Sequence, residues 1–259
     1  MKSKIFSSVI LSICLLIGCT TLPEKEILRN IPRADRSDLL VLNFRNNAIG
    51  DRAAEYQPWE LGLAAMMMTD LEKIGLYNII SSRDVSTLSR GIGIKDSQKE
   101  LEKDPLSVGK VVSAKYVLSG SFLEMGGQLR IEVRVLAIQT EMQLGVAAVF
   151  GMTDNFFDLQ KQLVLKVTGL LETFLSQQEI SAIREDVETT SVHASLNNYA
   201  GEIAVLRAEE YRGKGQKKIA ASYEEMAEDN FRKALAIDPK YERAKRNLAK
   251  LVKGLPMTL

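Results

Sequence analysis

The stretch that most constrains the fold is YVLSGSFLEMGGQLRIEVRVL, Tyr116 to Leu136. Two runs of strand-forming residues meet at Gly126-Gly127, and a two-glycine loop suits a tight hairpin because its central positions favour positive φ. That loop fixes the register, setting Phe122 against Ile131, Gly120 against Val133, Leu118 against Val135 and Tyr116 against Ala137. One face is therefore apolar. The other pairs Leu123 with Arg130, Ser121 with Glu132 and Ser119 with Arg134, and is mostly polar. Such alternation suits a half-buried strand in water or a strand of a membrane barrel equally well.

The segments around the hairpin decide between the two. Leu39 to Phe44 reads as a buried strand, and Arg45 to Gln57 as a polar loop. Pro58 opens a helix whose Trp59, Leu63, Met66, Met67, Leu71 and Ile74 recur at helical spacing until Gly75 stops it. The methionines at 66 to 68 read as core filler rather than a soft metal site. Asn78 to Ile80 is a second short strand, Ser82 to Arg90 a short helix, and Asp104-Pro105 the start of another running to Val112. After the hairpin, Gln143 to Phe150 supplies a third meander strand. Asp154 and Asn155 then lead into a helix with a stripe of Phe156, Leu159, Leu163, Val167, Leu170 and Phe174. If the hairpin's apolar face went into lipid, both helix stripes would lie bare in water. Each large side chain so exposed forfeits roughly 1.5 to 3 kcal/mol. The expectation is an α+β fold: a mixed sheet with an antiparallel meander, covered by helices on one face and followed by a small all-α segment.

The amino-terminal end reads as an export signal. Lys2 and Lys4 precede a run from Ile5 to Ile17 that is apolar apart from three serines, too short to cross a bilayer as a helix. Leu16-Ile17-Gly18-Cys19 resembles a bacterial lipobox, which implies cleavage between Gly18 and Cys19 and acylation, palmitate included, at Cys19. Cys14 lies in the segment that would be removed, so the mature chain keeps no possible internal disulfide. Several acyl chains on Cys19 make attachment effectively permanent, since one chain binds only marginally. Thr20 in place of an aspartate resembles the sorting pattern for the outer membrane. The expected divisions are a signal peptide at 1–18, a lipid-anchored linker at 19–38, the α+β domain at 39–178, a linker at 179–198 and a helical segment at 199–259.

The order LLVLNFRNNAIGD, WELGLAAMMMTDLEKIGLYNIISSRDVSTL, DPLSVGKVVSAKYVLSGSF and GGQLRIEVRVLAIQTEMQLG, covering Leu39 to Leu175 with its following helix, resembles the curli-secretion lipoprotein (CsgG-like) family and the related TolB amino-terminal type of domain. That resemblance implies helices against a mixed sheet and a periplasmic lipoprotein working in envelope assembly. Near the other end, Ala227, Phe231, Ala234 and Pro239 in AEDNFRKALAIDPKYERAKRNLAKL match the second helix of a tetratricopeptide repeat. Only one repeat and part of another are recognisable, where about three are needed for independent stability. The segment is therefore expected to pack on the main domain or on a neighbouring subunit.

Chemistry is sparse. With 34 basic and 33 acidic residues, there is no basic excess of the kind a nucleic-acid binder shows. The chain carries no phosphate-binding loop, paired-cysteine metal site or nucleophile elbow, and its one histidine, His193, reads as a solvated loop residue. No enzyme, cofactor or metal is expected. The functional expectation is an outer-membrane-anchored periplasmic lipoprotein that binds envelope or secretion proteins as a non-enzymatic adaptor, with homo-oligomers allowed. The alternative is a subunit of an oligomeric curli-type secretion channel. A channel needs membrane strands of about 9 to 11 residues, and neither long interval inside the domain, 45–57 or 92–103, shows two alternating apolar strands.

Overall fold

The computed structural model describes residues 28–91 and 104–256. Its sheet is built from β1 (Ser37–Val41), β2 (Arg45–Asn46), β3 (Tyr77–Ser81), β4 (Tyr116–Met125), β5 (Gln128–Ala137) and β6 (Met142–Met152). The strand order is β3-β1-β4-β5-β6, with β2 also on β4. β1 is parallel to both of its neighbours, whereas β4, β5 and β6 form the antiparallel meander. The hairpin register is the one its glycine loop dictates, from Met125 against Gln128 to Tyr116 against Ala137. Gly126 and Gly127 both take positive φ. The third meander strand is longer at both ends than its apolar run, because edge residues Met142 and Met152 continue the ladder.

Helix α1 (Trp59–Ile74) ends where Gly75 adopts a left-handed conformation, the stop that only glycine reaches without strain. It shares the main core with α4 (Phe156–Leu170) and with the inward residues Leu118, Phe122, Ile131, Val133 and Val135 of the sheet. Trp59 stacks on Phe156 with ring centroids 3.9 Å apart and meets Phe122 edge-on. The hairpin's apolar face is thus spent on the core. Gly120 has its own packing reason, since a β-carbon there would run into the ring of Phe44.

Two short helices, α2 (Ser82–Gly91) and α3 (Pro105–Val111), cover part of the opposite face. Leu40, Leu42, Val85, Val108, Ala114 and Val117 form a second, smaller core there. Asp104 caps α3 by accepting a hydrogen bond from the Ser107 amide.

Several boundaries fall differently from the sequence expectation. The described end of the expected linker, residues 28–38, runs along the domain: the Leu28 amide donates to Lys73 O and the Arg29 guanidinium pairs with Glu179. The stretch 179–198 is largely helical, in α5 (Gln177–Glu185) and the start of α6 (Val192–Gly213), and contributes Ile183 and Leu196 to the main core. His193 is exposed, but on a helix instead of a loop. Phe174 drops out of the α4 stripe because the chain turns at Glu172, at φ 53°, leaving the ring almost wholly exposed. Helices α7 (Lys217–Ile237) and α8 (Glu242–Val252) complete the chain, with Gly215 at φ 75° in the turn before α7.

Candidate functional site

Of the residues expected to matter, Gly18 and Cys19 lie outside the described residues, as does the interval 92–103. The repeat-packing set lies on α7 and the turn after it. Phe231 and Ala227 pack with Ala204 and Val205 of α6, and the Phe231 ring covers Gly201, where a β-carbon would come within 2.5 Å of it. Ala234 belongs to a neighbouring cluster with Ala194, Tyr241 and Ala244. Pro239 sits in the turn between α7 and α8. The partner residue that sequence reasoning missed is Gly201, whose position on α6 admits the ring.

Helix α6 docks on α1. Tyr199 is fully buried with its ring against the backbone of Gly62, and the Arg243 guanidinium lies 5.1 Å from the ring centre. Arg243 in turn grips Glu202 with both arms, at 2.7 and 3.2 Å, and Asn198 and Asn247 donate to the same carboxylate at 3.0 and 2.8 Å. Burial opposes the charge of Arg243, but Glu202, Tyr199 and Glu188 outweigh it and hold its pKa well above the ordinary value. For the Tyr199 phenol, burial acts in the opposite direction and pushes its pKa up. A second buried knot joins α1 to α4, where Lys161 Nζ donates to both oxygens of Asp70 at 2.6 and 2.8 Å and Gln160 donates at 2.9 Å. Burial raises the Asp70 pKa against the pull of Lys161 and Gln160. The carboxylates of Glu202 and Asp70 are held by internal partners, so their chemistry is positional, whereas the buried Tyr199 hydroxyl has no hydrogen-bond partner.

The surface open to other molecules is the polar face of the meander. Asn43, Arg45, Ser119, Ser121, Glu132 and Arg134 line a shallow groove where β1 gives way to β2 beside β4. Glu132 bridges Arg130 at 2.8 Å and Arg134 at 3.8 Å. A second groove wraps the free edge of the sheet between Arg130, Ala148, Phe150, Gln162 and Lys166. Basic groups outnumber acidic ones across this face. Among the described residues no group of three or more His, Cys, Asp or Glu side chains could hold a metal ion, and no helix is long and apolar enough to cross a membrane.

Fold and surface together define a mixed-sheet α+β domain with a docked helical hairpin and an open, basic sheet face. No family model matches the chain. In sequence it is similar to the Tol-Pal system protein TolB of Pseudomonas fluorescens, 23% identical over 207 residues that cover 78% of this chain and 44% of TolB. TolB of Pseudomonas entomophila matches at the same identity and coverage. The chain thus spans less than half the length of the curated relatives it matches. Among solved structures, it is similar to the LpoB C-terminal domain from Escherichia coli, with 20% identity, 45% of this chain and 83% of that one covered, and a TM-score of 0.32. Lipoprotein GNA1162 from Neisseria meningitidis gives 16% identity, 54% and 99% coverage and a TM-score of 0.35. The sequence match supports the TolB-type part of the expected resemblance, while its CsgG-like part rests on motif order alone.

Proposed function

We propose that this protein is a periplasmic lipoprotein, anchored in the outer membrane through Cys19, that acts as a non-enzymatic adaptor among envelope proteins. The observation that carries this reading is the 207-residue similarity to TolB, a protein named for the Tol-Pal system. Burial of the hairpin's apolar face beneath α1 and α4 supports it too, because that face is then unavailable to lipid and membrane attachment falls to the acyl chains. The helical appendage, packed on α1 through Tyr199 against Gly62, adds further surface to the domain. The same burial weighs against a channel subunit, which would need strands to spare for a barrel.

The test is cell fractionation of the Cys19→Ser variant together with cross-linking of the wild-type protein in intact cells. Release of the variant from the membrane, with wild-type cross-links to envelope proteins, is the expected result. A variant that stays in the membrane fraction contradicts the anchor, and a wild-type protein that cross-links to nothing contradicts the adaptor.

A further inference from the structure

The free edge of β6 is suited to a partner in three respects. The first is which groups it presents. A two-residue hairpin loop makes Met125 and Gln128 a hydrogen-bonded pair, and antiparallel pairing then alternates. The odd-numbered residues of β5 therefore bond to β6, and Leu129, Ile131 and Val133 lie opposite Gly151, Val149 and Ala147. That leaves the amides and carbonyls of Val146, Ala148 and Phe150 pointing outward. Two hydrogen bonds agree with this phase: the Thr153 amide donates inward to Gly127 O at 2.8 Å, and Lys166 Nζ reaches the outward Ala148 carbonyl at 2.7 Å.

The second respect is apolar exposure. Val146, Phe150 and Met152 are 44%, 66% and 52% exposed, on the same face as Arg130 and Arg134. Strand edges that avoid partners are usually short, charged or covered, and this one is 11 residues long with its large apolar side chains in water.

The third is charge. The groove around Ala148 and Phe150 is lined by Arg130 and Lys166 and by no carboxylate. Among the described residues Lys166 has no acidic partner, its ammonium resting on the Ala148 carbonyl alone. The nearby Asp158 accepts from Gln162 at 2.7 Å, and Glu132 is held by its two arginines.

We infer that the β6 edge is a docking site for an extended segment of a partner protein in which acidic and apolar residues alternate, added as a seventh strand. The main chain of the segment bonds to Val146, Ala148 and Phe150. Its amide replaces the Lys166 ammonium at Ala148 O, and the freed ammonium, on the α4 side of the sheet, meets carboxylates of the segment, while Val146, Phe150 and Met152 on the opposite face take its apolar side chains. Main-chain bonds of this kind give affinity and side-chain contacts give selectivity. The proposal rests on the adaptor reading and names the surface it uses.

Fluorescence anisotropy on the full mature chain tests it, with labelled decapeptides that alternate Glu with Val or Lys with Val. The Glu-Val peptide should bind saturably, and the Lys-Val peptide and an N-methylated Glu-Val peptide at least tenfold more weakly. Ala148→Pro removes only an outward amide and is tolerated by an edge strand, so it should weaken binding tenfold or more. Phe150→Ser checks the same surface without touching the backbone. No saturable binding, equal affinity for the Lys-Val peptide, or full affinity in both variants would overturn the proposal. So would sedimentation showing that the edge is occupied by a second copy, as a dimer abolished by Ala148→Pro. Photo-cross-linking in cells separates this proposal from the adaptor reading. Partners trapped from exposed Met226 of α7 but not from position 150 sink the edge site and leave the adaptor standing, whereas no partner from either position removes both.

Discussion

The ring of Tyr199 lies on the backbone of Gly62, so close that a β-carbon at Gly62 would stand 2.6 Å from Cδ2 of the ring. Arg243 covers the ring as well, so it has little room to retreat. Gly62→Ala should therefore destabilise the protein by about 1 to 3 kcal/mol through overpacking, although alanine favours a helix by about 1 kcal/mol over glycine. Gly169→Ala on α4 is the control, since a β-carbon there meets nothing within 4 Å. It should be neutral or stabilising. Urea unfolding of both variants checks the contrast.

Asp70 and Lys161 are both buried, and Lys161 places its ammonium on both carboxylate oxygens. Removing one partner strands the other, so Asp70→Ala should cost about 3 to 5 kcal/mol. The double variant Asp70→Leu, Lys161→Met should recover most of that loss. A double-mutant cycle of unfolding free energies reads the difference.

Glu179 titrates at about 2, held down first by its hydrogen bond to Arg29 and further by the Ser176 amide. A carboxylate depressed on folding contributes stability that is present above the ordinary carboxylate pKa and lost as pH falls toward the folded value. The contribution should vanish between about pH 5 and pH 2 and amount to about 1 to 2 kcal/mol, given that Arg29 is partly solvated. Arg29→Gln should flatten the pH dependence of the urea midpoint in that window.

Phe231 fills the space above Gly201. Phe231→Ala should cost about 3 to 5 kcal/mol, and Gly201→Ala should also destabilise because the ring cannot share its space. Limited proteolysis of both variants should show earlier cleavage in α7 and α8 than in the sheet.

Much of the sheet was legible in the sequence because its signals are local. Gly126-Gly127 fixed the hairpin register, and Pro58 and Gly75 bracketed α1. The second core was legible only in part: the unbroken apolar run Leu39 to Leu42 implies burial on both faces, but it does not say that Val85 and Val108 supply the cover. The helices between 177 and 198 were hidden by polar composition, since beyond Ile183 and Leu196 the residues that turn inward are small or polar, Glu179 and Asn198 among them. Phe174 kept the α4 period yet lies past a turn at Glu172 that no glycine announces. The network of Asn198, Glu202, Arg243 and Asn247 was invisible because its members are polar and more than 40 residues apart across two helices. The β6 edge was half visible, as an apolar run whose exposed face only the sheet order reveals.

Planar-bilayer recording of the lipidated full chain, with its detergent-extracted mass measured on the same sample, tests the central claim most directly. An adaptor whose hairpin is committed to a soluble core should give no channel conductance and the mass of a monomer or small oligomer. Stable single-channel conductance from a ring-sized assembly would contradict it.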